Sequence, residues 1–245
     1  MDTITNLCNE IAEKIPRVYE KGKKDEHDAF WDVFQSDTRN FFCKYAGNGW
    51  TTETFKPKSD LNIVGGNASY CFGYTNCNVD LVEWCEMLGI GITIKPTVMT
   101  SMFQSSKFTR LPVIDASNAS ALSSVFAYCT ELVTIDKLIL REDGTNTFAS
   151  AFYDCRALKN IVIEGVIRQN GLNFQWSPLT PESMISIITH LFNFGFDEHV
   201  GDRYTCTIKF SDACWNALNE YSSPPDFGNP DGDWRDYLSY IGWNT

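Results

Sequence analysis

At 245 residues, with 43% hydrophobic and 14% aromatic residues, the chain can build a sizeable core and lacks the profile of a disordered polymer. Its formal net charge of −11 argues against a nucleic-acid partner, because phosphate recognition needs a basic footprint, and the strongest cationic run, Lys21-Gly22-Lys23-Lys24, is followed at once by Asp25, Glu26 and Asp28. No run approaches the ~18 apolar residues of a membrane span, so no membrane insertion is expected.

Residues 1–35 form an N-terminal helical segment by their spacing: Ile4, Leu7, Cys8, Ile11, Ile15 and Val18 share a face interrupted by Pro16. Phe30, Trp31 and Phe34 add a second, aromatic face. Such faces either cap the downstream repeats or supply an oligomer or assembly contact. Residues 36–67, rich in Gly, Asn, Thr and aromatics, read as an irregular linker or first cap with short strands.

From 68 to 176 the chain is self-similar. Val125-Phe126-Ala-Tyr-Cys129-Thr-Glu-Leu132-Val-Thr-Ile135 matches Ala151-Phe152-Tyr-Asp-Cys155-Arg-Ala-Leu158-Lys-Asn-Ile161, with Phe152 standing 26 residues after Phe126. Phe103 to Ile114, which includes Phe108 and Leu111, fits with one residue deleted, although Ser106 stands where Cys stands elsewhere. Tyr70-Cys71-Phe72 reads as a degenerate first copy. Its continuation is diverted into a helix by the apolar spacing of Leu81, Trp84, Cys85 and Leu88, with Gly89 as the stop. Steps of 23 and 26 residues lie in the range of leucine-rich repeats. A Leu-x-x-Ile strand with an aromatic turn cannot bury its apolar side alone, so the copies are expected to stack. Phe103, Leu111, Phe126, Cys129, Leu132, Ile135, Phe152, Cys155, Leu158 and Ile161 are the expected repeat core. The fold expected is an α/β repeat: a short leucine-rich-repeat solenoid with an N-terminal helical segment and a C-terminal α/β cap. That cap occupies 177–245, where Thr180 and Pro181 open one helix, Tyr204 to Phe210 alternates as a strand, Ser211 opens a second helix, and Trp234 to Ile241 forms a last one.

The F-x-x-C-x-x-L-x-x-I unit resembles the BspA-type leucine-rich repeat, common in surface proteins of gut bacteria and in their phages. Ile15 to Lys24 with Asp28 to Gln35, Thr54 to Lys58, Leu138 to Gly144, Lys159 to Gly165 and Gly171 to Trp176 are similar to segments of phage-related proteins of gut Firmicutes. The resemblance implies a recognition role and brings no catalytic residues with it. The start of the chain lacks the basic region and apolar core of a signal peptide. Synthesis in the cytoplasm is therefore expected, with the virion, or otherwise the cytoplasm, as its location.

Sites are sparse. His27, His190 and His199 have no metal-ligand spacing to each other or to a cysteine, and Cys71 and Cys77 lack a matching pair, so no metal and no cofactor is expected. Asn229, Asp231, Asp233 and Asp236 could hold calcium, but the Gly is misplaced for an EF-hand loop and a solvated turn is favoured. No G-x-S-x-G, Walker or G-x-G-x-x-G motif occurs, and no catalytic residue is assigned. Nine cysteines, an odd number, read as structural thiols. Between the buried strand positions lie Thr109-Arg110, Val133-Thr134 and Lys159-Asn160. At least one of each pair should face outward, which makes Thr109, Arg110, Thr134, Lys159 and Asn160 the candidate ligand stripe. The expected function is a non-enzymatic recognition or structural module binding a protein or a cell-surface glycan, as a phage tail or baseplate accessory. The alternatives are an intracellular interaction scaffold and, third, a glycan hydrolase.

Overall fold

Five short runs in which aliphatic residues are spaced by polar ones become strands: β1 (Leu61–Val64), β2 (Ile92–Lys95), β3 (Arg110–Asp115), β4 (Thr134–Ile139) and β5 (Asn160–Glu164). They form one sheet in sequence order, and each neighbouring pair is parallel. Parallel neighbours need long crossovers; turns and loops supply them here, with helix α1 (Leu81–Leu88) between β1 and β2. A second parallel sheet joins β6 (Leu172–Phe174), β7 (Cys206–Phe210) and β8 (Trp243–Asn244). Its connections contain α2 (Pro181–Ile188), α3 (Asp212–Tyr221) and α4 (Trp234–Tyr240). The protein is thus an α/β fold with parallel sheets and four helices among the residues that this computed structural model describes, 60–75, 79–195 and 206–245. All of these lie in one of two compact units, Arg39–Thr245. The helical segment at 1–35 and the linker up to residue 59 fall outside the described residues.

Helix ends follow the capping residues. Asp80 accepts from the Val82 and Glu83 amides, and Gly89, at φ 66°, ends α1. Thr180 caps α2 with Pro181 in its first turn, Ser211 caps α3, and Asp233 with Asp236 forms a reciprocal capping box on α4. The Asp233 and Asp236 carboxylates, considered for calcium, are therefore engaged with backbone amides.

The core is organised by a file of aromatic rings. Phe72 stacks on Phe103 at 5.2 Å, Phe103 on Phe126 at 5.8 Å, and Phe126 on Phe152 at 5.2 Å. The file then continues through Phe174 to Phe210, where Trp215 closes it edge-on at 5.1 Å. The division expected between residues 176 and 177 therefore cuts through both this file and the second sheet. Strand register agrees with the sequence alignment: Leu111 pairs with Ile135 and Ile114 with Leu138, and Phe108 takes the place of Leu132. Phe103, Leu111, Phe126, Cys129, Leu132, Ile135, Phe152, Cys155, Leu158 and Ile161 are each at most 1% exposed.

Three residues after each of Phe72, Phe103, Phe126, Phe152 and Phe174 stands a small hydrogen-bond donor: Thr75, Ser106, Cys129, Cys155 and Ser177. Cys129 Sγ donates to the Phe103 carbonyl at 3.0 Å, and Cys155 Sγ to the Phe126 carbonyl at 3.1 Å. Thr75 Oγ1 donates to Phe72 O, and Ser177 Oγ to Cys155 O. Ser106, buried 3.6 Å from the Cys129 sulfur, is thus an equivalent of cysteine rather than a departure from the pattern. The position selects a compact donor that can reach a carbonyl, and not merely a small hydrophobe.

The turns form a second backbone ladder. Tyr70 and Tyr74, Ser101 and Ser105, Ser124 and Tyr128, and Ser150 and Asp154 all have positive φ, two residues either side of a phenylalanine. Left-handed backbone is costly for such residues, so the surroundings must hold it. What holds it is visible: the N–H groups of Ser124, Phe126 and Tyr128 donate to the carbonyls of Ala149, Ala151 and Tyr153, and the two preceding turns do the same.

The far edge of the first sheet is covered by α2. Ser183 Oγ accepts the Ile161 N–H at 3.0 Å, and Ser186 Oγ accepts the Ile163 N–H at 2.8 Å. Two side chains thus satisfy the edge amides of β5 that another strand would otherwise take.

Candidate functional site

The outward face of the first sheet presents charged residues in matched pairs. Lys95 on β2 meets Asp115 on β3 at 2.6 Å. Arg110 on β3 meets Asp136 on β4 through two guanidinium contacts, at 2.7 and 3.2 Å, and lies 3.6 Å from Asp80. Lys137 on β4 meets Glu164 on β5 at 2.9 Å. The geometry has a local cause. Register shifts between Ile135 and Leu138, where β4 carries two intervening residues and β5 only Val162 between Ile161 and Ile163. Two consecutive residues, Asp136 and Lys137, are half-exposed as a result and serve the strands on either side. The hydrogen bond it donates to Asp136 raises the Arg110 pKa further, so this guanidinium stays charged.

The candidate stripe separates into two registers. Arg110, Thr134 and Asn160 are strand partners in one row, with an Asn160 to Thr134 side-chain hydrogen bond of 3.4 Å. Thr109 and Lys159 belong to the neighbouring row, bridged by the Val133 backbone. Lys159 and Asn160 are exposed; Thr109, Arg110 and Thr134 are half-buried. Among this polar set stand three exposed aliphatic residues, Val64, Val113 and Val162, with 62%, 46% and 47% of their surface open. The stripe was legible in the sequence, but its charge partners, which lie a strand apart, were not. Their signal was the presence of at least one acid or base in each of the strand runs 92–95, 110–115, 134–139 and 160–164.

The thiols are structural. Cys71, Cys85, Cys129, Cys155, Cys206 and Cys214 are buried, and Cys85, Cys129, Cys155, Cys206 and Cys214 carry free thiols. Burial pushes Cys129 up to about 12 and Cys155 well above the ordinary thiol range. Because the thiolate is the reactive species, Cys129 and Cys155 should react with a thiol reagent at pH 8 only as fast as the native fold opens. Reducing agent should leave the melting temperature unchanged. Stoichiometric labelling of either residue within the mixing time, identified by mass spectrometry, would overturn this assignment.

Among the described residues no group of three or more His, Cys, Asp or Glu is placed to hold a metal ion, and no helix is long and apolar enough to cross a membrane. His190 Nδ1 lies 2.7 Å from the Ser186 carbonyl. His27, His199 and Cys77 lie outside the described residues. No family model matches the chain, no curated protein matches it, and no solved structure does.

Proposed function

We propose that the protein is a non-enzymatic recognition module, built as a leucine-rich-repeat-type solenoid whose outward sheet face meets a protein partner at a host-cell surface. The solenoid reading is supported by the aromatic file from Phe72 to Phe210, the sequence-ordered parallel strands and the stacked left-handed turns. Resemblance of the F-x-x-C-x-x-L-x-x-I unit to phage-associated repeats supports a virion setting, as a tail or baseplate accessory.

One observation carries the recognition reading: exposed Val64, Val113 and Val162 stand on the same face as cross-strand ion pairs. Apolar area rimmed by charge is the composition of a contact surface rather than of an inert one. Pairing Lys95, Arg110 and Lys137 within the face also lowers the cost of covering it, since these ions already have partners.

The test combines Arg110→Ala, Thr134→Ala and Asn160→Ala, one row across three strands. The Arg110 to Asp136 pair is substantially exposed, so its loss should cost under about 1 kcal/mol and leave the melt nearly unchanged. Binding of labelled protein to gut Firmicute cells should fall at least tenfold. Undiminished binding by a normally melting variant would place the contact elsewhere. Failure of the parent protein to bind any envelope would favour the intracellular scaffold instead.

A further inference from the structure

In each turn before Phe152, three backbone N–H groups are taken up by carbonyls of the succeeding turn. The Phe152 turn breaks this rule. The amides of Ser150, Phe152 and Asp154, equivalent to those of Ser124, Phe126 and Tyr128, donate to no carbonyl among the described residues. The reason is that the next segment does not curl: it runs extended as β6 and pairs with β7. At Gly171 the chain comes so close that a Cβ would sit 3.1 Å from the Phe148 carbonyl carbon. Past that contact a groove of about 350 Å³ opens, lined among others by Ser150, Tyr153, Asn170, Asn173, Thr207 and Lys209.

This lining has a one-sided chemistry. In a chain with 31 acidic residues, none of the described residues lining the groove is a carboxylate. Asn170 Oδ1 is occupied by the Thr207 amide at 2.6 Å and Asn173 Oδ1 by the Gln175 amide at 3.0 Å, and neither side-chain NH2 has a partner among the described residues. Lys209 enters no ion pair among the described residues. Hydroxyls of Ser150, Thr207 and Tyr153 complete a set dominated by donors. Tyr153 is 40% exposed and is held edge-on by Tyr128 at 5.2 Å, so one flat apolar surface stands beside the donors.

We infer that this groove is a binding site for a carboxylate-bearing saccharide. A sugar acid supplies what the lining lacks: many oxygen acceptors, one negative charge and an apolar C–H face for the Tyr153 ring. The volume is that of a small-ligand cleft. Backbone N–H groups at positive-φ turns favour anions, and the Ser150 amide, left over by the missing turn, adds such a donor to the groove that Lys209 also lines. The remaining surface is acidic and repels anions at long range, so the affinity must come from this local arrangement. The groove is separate from the outward sheet face and does not depend on a partner binding there.

The test is titration calorimetry of the full chain with three probes: an oligogalacturonate, the matching neutral oligogalactoside and inorganic phosphate. The acidic sugar should bind at least tenfold more tightly than the neutral one, and phosphate should not compete. Lys209→Met and Tyr153→Ala should each weaken oligogalacturonate at least tenfold with melting temperatures preserved. Equal affinity for acidic and neutral sugars, displacement by phosphate, or indifference to both substitutions would overturn the assignment. Retained cell binding by Lys209→Met alongside lost sugar binding would show that the groove and the sheet face are independent. An absence of any sugar binding while cell binding persists would overturn the groove alone.

Discussion

Replacing Phe126 with alanine should destabilise the protein by about 3–5 kcal/mol, the range for truncating a fully buried aromatic. Phe126 is fully buried with rings on both sides, Phe103 at 5.8 Å and Phe152 at 5.2 Å, so truncation empties the middle of the file. The loss has two parts: the transfer free energy of the ring, and the contacts forfeited by two neighbours whose backbones are pinned by the turn ladder and cannot close the gap. Domains are held by about 5–15 kcal/mol in total, so one residue accounts for a large share of it. Phe126→Leu keeps much of the volume and should cost less than half as much. Urea unfolding measures both, and the midpoint should fall without a change in slope. A loss below about 1 kcal/mol would show that the file does not share load in the way its stacking implies.

Gly165→Ala should be as damaging for a different reason. Gly165 comes directly after β5 with φ of 89°, and a Cβ there would lie 2.4 Å from the Leu140 carbonyl oxygen and 2.8 Å from its carbon. Both atoms are backbone, and Leu140 is fixed by the hydrogen bond its N–H donates to the Glu164 carbonyl at 2.8 Å. Neither side can yield without breaking the pairing of β4 and β5. A control separates clash from dihedral strain. Gly89 also has positive φ, 66°, but a Cβ there meets nothing within 4 Å. Gly89→Ala should therefore cost only about 1–2 kcal/mol, the left-handed penalty alone. Gly165→Ala should exceed it by at least about 2 kcal/mol, within the range for overpacked sites. Equal melting temperatures for the two variants would remove the steric account.

Legibility in the sequence depended on which constraints are local or repeated. Phe126, Cys129, Leu132 and Ile135 recur at Phe152, Cys155, Leu158 and Ile161 because stacking makes each position meet its own equivalent. The caps at Thr180 and Ser211 were legible for a similar reason, since a cap is satisfied within three residues. Phe174 and Phe210 carry no sequence mark of belonging to the aromatic file. The strand that should come after Phe174 is replaced by α2, so the C-x-x-L-x-x-I continuation that marks the other copies is missing there. The role of Ser106 was also hidden: hydroxyl and thiol look dissimilar as letters, and their equivalence shows only where Ser106 is buried beside the Cys129 sulfur in the stack. The ion pairs Arg110–Asp136 and Lys137–Glu164 join residues 26 and 27 apart, at a bulge no local pattern announces. The groove beside Lys209 arises from separated stretches and an abandoned turn, which no single window of sequence contains.

A parallel sheet laid down in sequence order is a growth process, with each strand the template for the next. Its last strand would then be a live front, open to another molecule's chain as readily as to its own. Ser183 and Ser186 act there as terminators: two hydroxyls on a helix occupy the β5 amides at 3.0 and 2.8 Å and offer no new edge in return. A helix cannot template a strand, so the array has a defined length set by one short α2, and its length is counted by chemistry at the end rather than by the number of copies available.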